Sequence, residues 1–247
     1  MNVPAAGKTN TVQYRSNRTN SDSRETGEAI RTISIKRVLS KLLLKSAGTA
    51  FLLVIPFWML VRCSVYFYST VGLPSGPAIG LSVIVTALVL VVYFWYARIR
   101  LGIRKLESFR AIRLSILVIF CFSTYLLVFI SGSNVKISGL QGEYGELHPI
   151  VRLAVGTLIL VDDNLIVTDM LRDPEDYAEM GLSGRRRSLH YRQPDGYAHA
   201  VDIRTIGHSW LRNSLLEKYF RIMGFNTLRH AGTADHLHVS LVNRLGS

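Results

Sequence analysis

Three apolar stretches, Ser46–Tyr68, Pro77–Ala97 and Leu114–Val135, fill most of the first half of this chain of 247 residues. A bilayer core is crossed by about 20 residues of helix. The second and third stretches supply that length without a charge. Arg62 interrupts the first near its end, where the side-chain stem can run along apolar surface to the headgroups. The pattern predicts three transmembrane helices, at 46–68, 77–97 and 114–135. With 49% hydrophobic residues, the chain is too apolar for an ordinary soluble protein of this size.

The net charge of +12 bears on topology rather than on nucleic acid. From Lys136 to the end, acidic and basic residues cancel. The whole excess lies in residues 1–113, with nine Lys and Arg before Ser46 and six in the run Arg98–Arg113, both beside apolar segments. Basic residues flanking hydrophobic spans mark the cytoplasmic side. The N-terminus is therefore expected in the cytoplasm of a bacterial cell and everything after Asn134 outside the inner membrane, with no nucleic-acid partner. Residues 1–45 read as a disordered basic tail, because Ser, Thr, Asn, Gly and Arg dominate without a hydrophobic period. Cys63 and Cys121 both fall in apolar segments and build no disulfide framework. Nothing in the sequence fixes an oligomeric state.

Beyond a Gly- and Ser-containing connector, with a linker expected at 136–146, a globular domain is expected at 147–247. Leu147–Val161 is apolar enough for a buried helix or two strands, and periodicity does not decide between them. Leu165–Leu171 has the β-branched content of a strand, with Arg172 at its far end. Asp173 and Pro174 are placed as the cap and first residue of a short helix, Pro174–Met180. Ser209–Met223 is the clearest helix: Leu211, Leu215, Leu216, Tyr219, Phe220 and Met223 repeat on one face, and Gly224 stops it. Strands follow at Asn226–His230 and His236–Val242. Strands, helix and strands without βαβ alternation predict an α+β domain with a mostly antiparallel sheet.

Two stretches carry the chemistry: Ser188–Ile203 (SLHYRQPDGYAHAVDI) and Asp235–Leu241 (DHLHVSL). Histidines and aspartates set among apolar and small residues suit a zinc site, where three protein ligands leave a fourth position for water. Side chains alternate along a strand, so His236 and His238 share a face while His199 and Asp202 point oppositely. This favours Asp202 and His238 as members of one cluster and counts against His199. His190, at the start of the same segment, is the candidate third ligand. His148, His208 and His230 have no partner motif and read as structural or exposed. Arg185–Arg187 reads as a solvated loop and Asp195 as a turn residue before Gly196.

SLHY at Ser188–Tyr191, AVDI at Ala200–Ile203, the helix ending in MGF at Met223–Phe225 and HLHVSL at His236–Leu241 resemble the zinc D-Ala-D-Ala metallopeptidases and their relatives, the amino-terminal domains of hedgehog proteins. The resemblance covers about the last hundred residues. It implies that His190, Asp202 and His238 bind Zn2+. It also implies Asp235 as general base and Arg172 as the group that meets the substrate's carboxylate or carbonyl. His236 would act beside the metal or hydrogen-bond the tetrahedral intermediate. One departure is plain: the family spaces its first His and its Asp seven apart, and here they are twelve apart. A five-residue insertion around Gln193–Tyr197 must therefore loop out. The function so implied is a membrane-anchored zinc peptidase cutting peptidoglycan stem peptides. The competing expectation is a non-catalytic, zinc-stabilised domain that binds cell-wall peptide.

Overall fold

The computed structural model describes residues 39–44, 46, 48, 54–101, 108–172, 188–232 and 235–242. Ile55–Ser247 form one compact unit; in the separate unit Met1–Val54, residues 39–44, 46 and 48 are helical. The expected helix Pro174–Met180 and the basic run at 185–187 lie outside the described residues, as does most of the N-terminal tail.

Three apolar helices come first: α1 (Val54–Ser69), α2 (Ser75–Leu101) and α3 (Ser108–Val128). One-turn 3-10 segments at Gly132–Asn134 and Tyr144–Glu146 bracket α4 (Ser138–Glu143), and α5 (Pro149–Ile159) follows. The domain then runs β1 (Val167–Asp169), β2 (Ala200–Arg204), α6 (Trp210–Met223), β3 (Asn226–His230) and β4 (His236–Ser240). The four strands make one sheet in the order β1-β2-β4-β3, with every neighbouring pair antiparallel. The α+β class and the antiparallel sheet are thus as expected.

Local chemistry explains the two domain helices. Proline opens α5, where its missing N–H is one that no helical carbonyl would take. His148 caps it by accepting the Ile150 N–H at Nδ1. Ser209 Oγ caps α6 by accepting from the Arg212 N–H. Gly224, at φ +101, ends it by donating its own N–H to Phe220 and Arg221. A side chain at 224 would be strained there and would also meet Arg62 Nη1 at 2.9 Å and Val65 at 3.0 Å.

The face of α6 differs from the expectation. Leu216, Phe220 and Met223 are buried, but Leu211 and Leu215 stand exposed, and Asn213 takes a core position by donating from Nδ2 to Thr205 O. Its buried amide shifts the inward stripe round the helix from the one that apolar residues alone select.

The expectation of three spans is also corrected. Among the described residues, only α2, over Ser75–Arg100, is long and apolar enough to cross a membrane; Val54–Ser69 and Ile112–Val128 are apolar helices of 10–17 residues. The whole of α3 runs for 21 residues, but residues 108–111 at its start, with Arg110, fall outside its apolar part. The apolar residues of α1 are used differently. Leu60, Val61, Val65 and Tyr68 are buried in one cluster with Leu153 of α5, Phe220 and Met223 of α6 and the inward sheet residues Val201, Ile203, Leu237 and Val239.

Residues 136–146, expected as a linker, are mostly helical and fastened to the rest. Leu140 and Tyr144 are buried, and the Tyr144 hydroxyl lies 2.7 Å from Leu126 O and 3.1 Å from Arg152 O. Arg152 donates from Nη1 to Leu127 O at 2.6 Å, so the domain satisfies carbonyls that the last turn of α3 leaves open.

Candidate metal centre

The sheet has two unlike faces. Val201 and Ile203 of β2 and Leu237 and Val239 of β4 point into the core, so the alternate residues Asp202, His236 and His238 share the opposite face. The register sets Asp202 directly across from His238. One more feature tunes this point: β1 pairs Val167 with Ile203 but Asp169 with Asp202, a bulge that gives β1 an extra residue beside the site.

His190 arrives from the segment that covers this face. The insertion before Asp202 loops out as a tight hairpin. Gln193 N donates to Tyr197 O at 2.9 Å, Gly196 N donates to Gln193 O at 2.8 Å, and Arg192 pairs with Ala198. Gly196 takes φ +87 at the turn. The arms close where His199 N donates to Leu189 O at 2.8 Å, which returns the chain to β2 beside its point of departure. The twelve-residue spacing therefore leaves His190 in place.

Three donor atoms meet. His190 Nε2 lies 3.2 Å from His238 Nδ1 and 3.3 Å from Asp202 Oδ1, and His238 Nδ1 lies 2.8 Å from Asp202 Oδ1. Tetrahedral ligands at about 2.0–2.1 Å from an ion stand roughly 3.3 Å from one another, so this triangle fits a metal with little adjustment. The protons fit as well. His190 Nδ1 faces Met170 O at 3.0 Å and is the donor of that bond, which leaves Nε2 bare toward the centre. His190 and Asp202 are buried, and His238 is partly open. A metal ion could be held here.

Asp202 is held ionised. Burial alone would raise its carboxyl, but when both rings are protonated and turn N–H toward it, hydrogen bonds and charge from His190 and His238 outweigh that and hold it well below the usual carboxylate range. Its other oxygen, Oδ2, accepts from Arg172 Nη2 at 2.9 Å, while Arg172 Nε donates to Asp169. Arg172 thus stands at the expected place after β1, with its guanidinium spanning two carboxylates of the sheet. His236 points to the same face, its Nε2 3.6 Å from Asp202 Oδ2 and its ring stacked on His230 at 4.7 Å.

Asp235 is engaged elsewhere. Thr205 Oγ1 donates to its Oδ1 at 2.7 Å, and Arg229 donates from Nη2 to Oδ2 at 2.9 Å. These bonds, Arg229 first, hold its carboxyl below the ordinary value. No family model, curated protein or solved structure matches the chain. The site is therefore read from its own atoms.

A second group was missed. His148, Asp195 and His199 also bring three potential ligand atoms within 4.8 Å of one another, close enough to hold an ion. They come from the cap of α5, the tip of the hairpin and its closing arm. No sequence spacing announces them.

Proposed function

We propose that this chain is a membrane-anchored zinc peptidase acting on peptidoglycan stem peptides outside the cytoplasmic membrane. The observation that carries the proposal is the meeting of His190, Asp202 and His238 at 2.8–3.3 Å, with the His190 proton directed away from the centre. Two imidazoles and one carboxylate form a donor set of the kind that catalytic zinc uses. When bound, zinc supplies Lewis acidity, which acidifies water and polarises a carbonyl. The substrate class is taken from the resemblance of the SLHY, AVDI and HLHVSL segments to the D-Ala-D-Ala metallopeptidases.

The chain's own residues have distinct tasks. Arg172 and Asp169 fix Asp202 so that Oδ1 faces the two histidines. His236, beside the same carboxylate, can hold or pass a proton at Nε2. Asp235 would act as base only after release from Arg229 and Thr205. That engagement favours the second reading, a zinc-stabilised module that binds wall peptide without cutting it.

The anchor is α2. Only 28% of its apolar window is buried, and Leu81, Ile84, Leu88, Val92, Trp95 and Ile99 are exposed. A helix of this composition in a soluble core would be mostly covered, and large exposed apolar surface calls for lipid or a partner. α3 packs alongside α2 and also exposes Leu114, Leu117 and Phe120. Arg98 and Arg100 end α2, and Arg110 and Arg113 begin α3, whereas Tyr144 and Arg152 bond the last carbonyls of α3. If α3, 21 residues long, runs back across the bilayer beside α2, basic residues at the cytoplasmic end would leave the domain outside.

The test uses the full chain in detergent, loaded with zinc and incubated with muropeptides. Zinc-dependent release of D-alanine or crosslink cleavage, abolished together with metal binding in Asp202→Ala, is expected. Asp235→Ala should keep the metal and lose turnover. Stoichiometric zinc with intact muropeptides in the wild type would establish the binding module instead.

A further inference from the structure

The hairpin tip is gripped from three sides. Asp195 faces His199 Nε2 at 3.0 and 2.8 Å through its two oxygens. It accepts from the Tyr68 hydroxyl, in the last turn of α1, at 3.5 Å, and His148 Nε2 lies 3.6 Å from Oδ2. The rings pack on one another, with centroids 4.7 Å apart for Tyr68 and His148 and 4.6 Å for His148 and His199. His148 is fully buried, and its Nε2 has no hydrogen-bond partner within range.

Distance alone would allow an ion here, but the protons oppose it. The Ile150 N–H donates to His148 Nδ1 at 3.2 Å, so the proton of the neutral ring sits on Nε2 and points at Asp195. A histidine that ligates through Nε2 carries its proton on Nδ1 and donates it. His190 does so toward Met170 O, and His148 does the reverse. His199 Nε2 meets its carboxylate at 2.8 Å just as His238 Nδ1 meets Asp202, so the ring that separates the two groups is His148.

We propose that this second group is a proton-filled clamp rather than a metal site: Asp195 bonds Tyr68 and His199, with the Nε2–H of His148 turned toward it from 3.6 Å, and so ties the hairpin behind His190 to α1 and α5. Tyr68 and Asp195 are then positioning residues for the metal centre, and this part of the inference rests on His190, Asp202 and His238 being that centre. The arms of the hairpin are held by backbone bonds, with Ala198 N donating to Glu146 O and His148 N to Ala198 O. The tip is held by side chains. Through it, the seating of α1 reaches the first metal ligand.

The full chain in nanodiscs is loaded with zinc, and metal content and affinity are measured by mass spectrometry and chelator competition. One zinc per chain is expected, absent in Asp202→Ala. Tyr68→Phe and Asp195→Asn should each retain one zinc, held about fivefold more weakly, the equivalent of one net hydrogen bond. The double variant should be no weaker than Asp195→Asn, since both remove the same contact. Two zinc ions, one of them lost in Asp195→Asn, would overturn the clamp, and so would unchanged affinity in both single variants. Amide hydrogen exchange at Gly196 and Tyr197 reads the clamp without metal: it should rise in Tyr68→Phe, and an unchanged rate would overturn the clamp. A wild type without zinc would refute the metal centre and leave that exchange result to decide the clamp.

Discussion

Asp202 faces two histidines through one oxygen and a guanidinium through the other, at 4% side-chain exposure. Removing it leaves the ring nitrogens and Arg172 Nη2 without their shared partner, while Arg172 Nε keeps Asp169. Breaking a buried ion pair from one side costs roughly 3–5 kcal/mol. Asp202→Ala should therefore lower the unfolding free energy of the metal-free protein by about 3 kcal/mol, measured by denaturant titration, whereas a change under 1 kcal/mol would mean that Asp169 alone balances Arg172. His148 makes a pH prediction. Burial, with His199 adding to it, lowers its pKa below the ordinary 6.5. The unfolded chain therefore takes up the proton first, and the stability linked to this ring is complete above about pH 6.5 and falls away as pH drops below it. His148→Asn keeps a capping side chain without the titration. Thermal melts between pH 7.5 and 4.5 should show a shallower loss in the variant, and parallel curves would refute the assignment. Of these residue-level facts, the meeting of Asp202 with His238 was legible from alternation on β2 and β4, and the approach of His190 from the order of the motifs. The clamp was not, because its members meet only through tertiary structure.

Among the elements, α6 and β3 were nearly complete in the sequence, since serine and glycine punctuate the helix and the strand begins two residues after Gly224. The segment 147–161 was ambiguous by periodicity, and its helix is settled by Pro149 together with the His148 cap. α5 also meets α3 closely. A Cβ on Gly156 would stand 2.9 Å from Leu126 Cδ2 and 3.3 Å from its Cβ, and Leu126 is itself buried. Alanine gains up to about 1 kcal/mol of helix propensity, while overpacking costs about 1–3 kcal/mol. Because the Leu126 Cβ is fixed to its backbone, overpacking wins. Gly156→Ala should lower the melting temperature, and a rise would show that the two helices separate freely.

For the whole molecule, hydropathy overcounted spans because an apolar run does not state whether lipid or protein will cover it. Leu60, Val61 and Val65 of α1 are covered by protein, whereas Leu88 of α2 is 61% exposed. An arginine at a helix centre costs about 2.5–3.5 kcal/mol of membrane insertion. Leu88→Arg should therefore shift the protein into the carbonate-extractable fraction. Retention in the membrane pellet at the wild-type level would count against α2 as the anchor.

The hairpin at Gln193–Tyr197 has a consequence for how such centres are found. Its arms zip together, so residues can be added or removed at the tip without moving either candidate ligand at its base. The number of residues between the first imidazole and the carboxylate is then a free variable, and a signature written with a fixed gap would read straight past a complete set of candidate ligands. A search that tolerates hairpin-sized gaps there, and fixes only the cross-strand pair of Asp202 with His238, asks the chain for what the geometry actually requires.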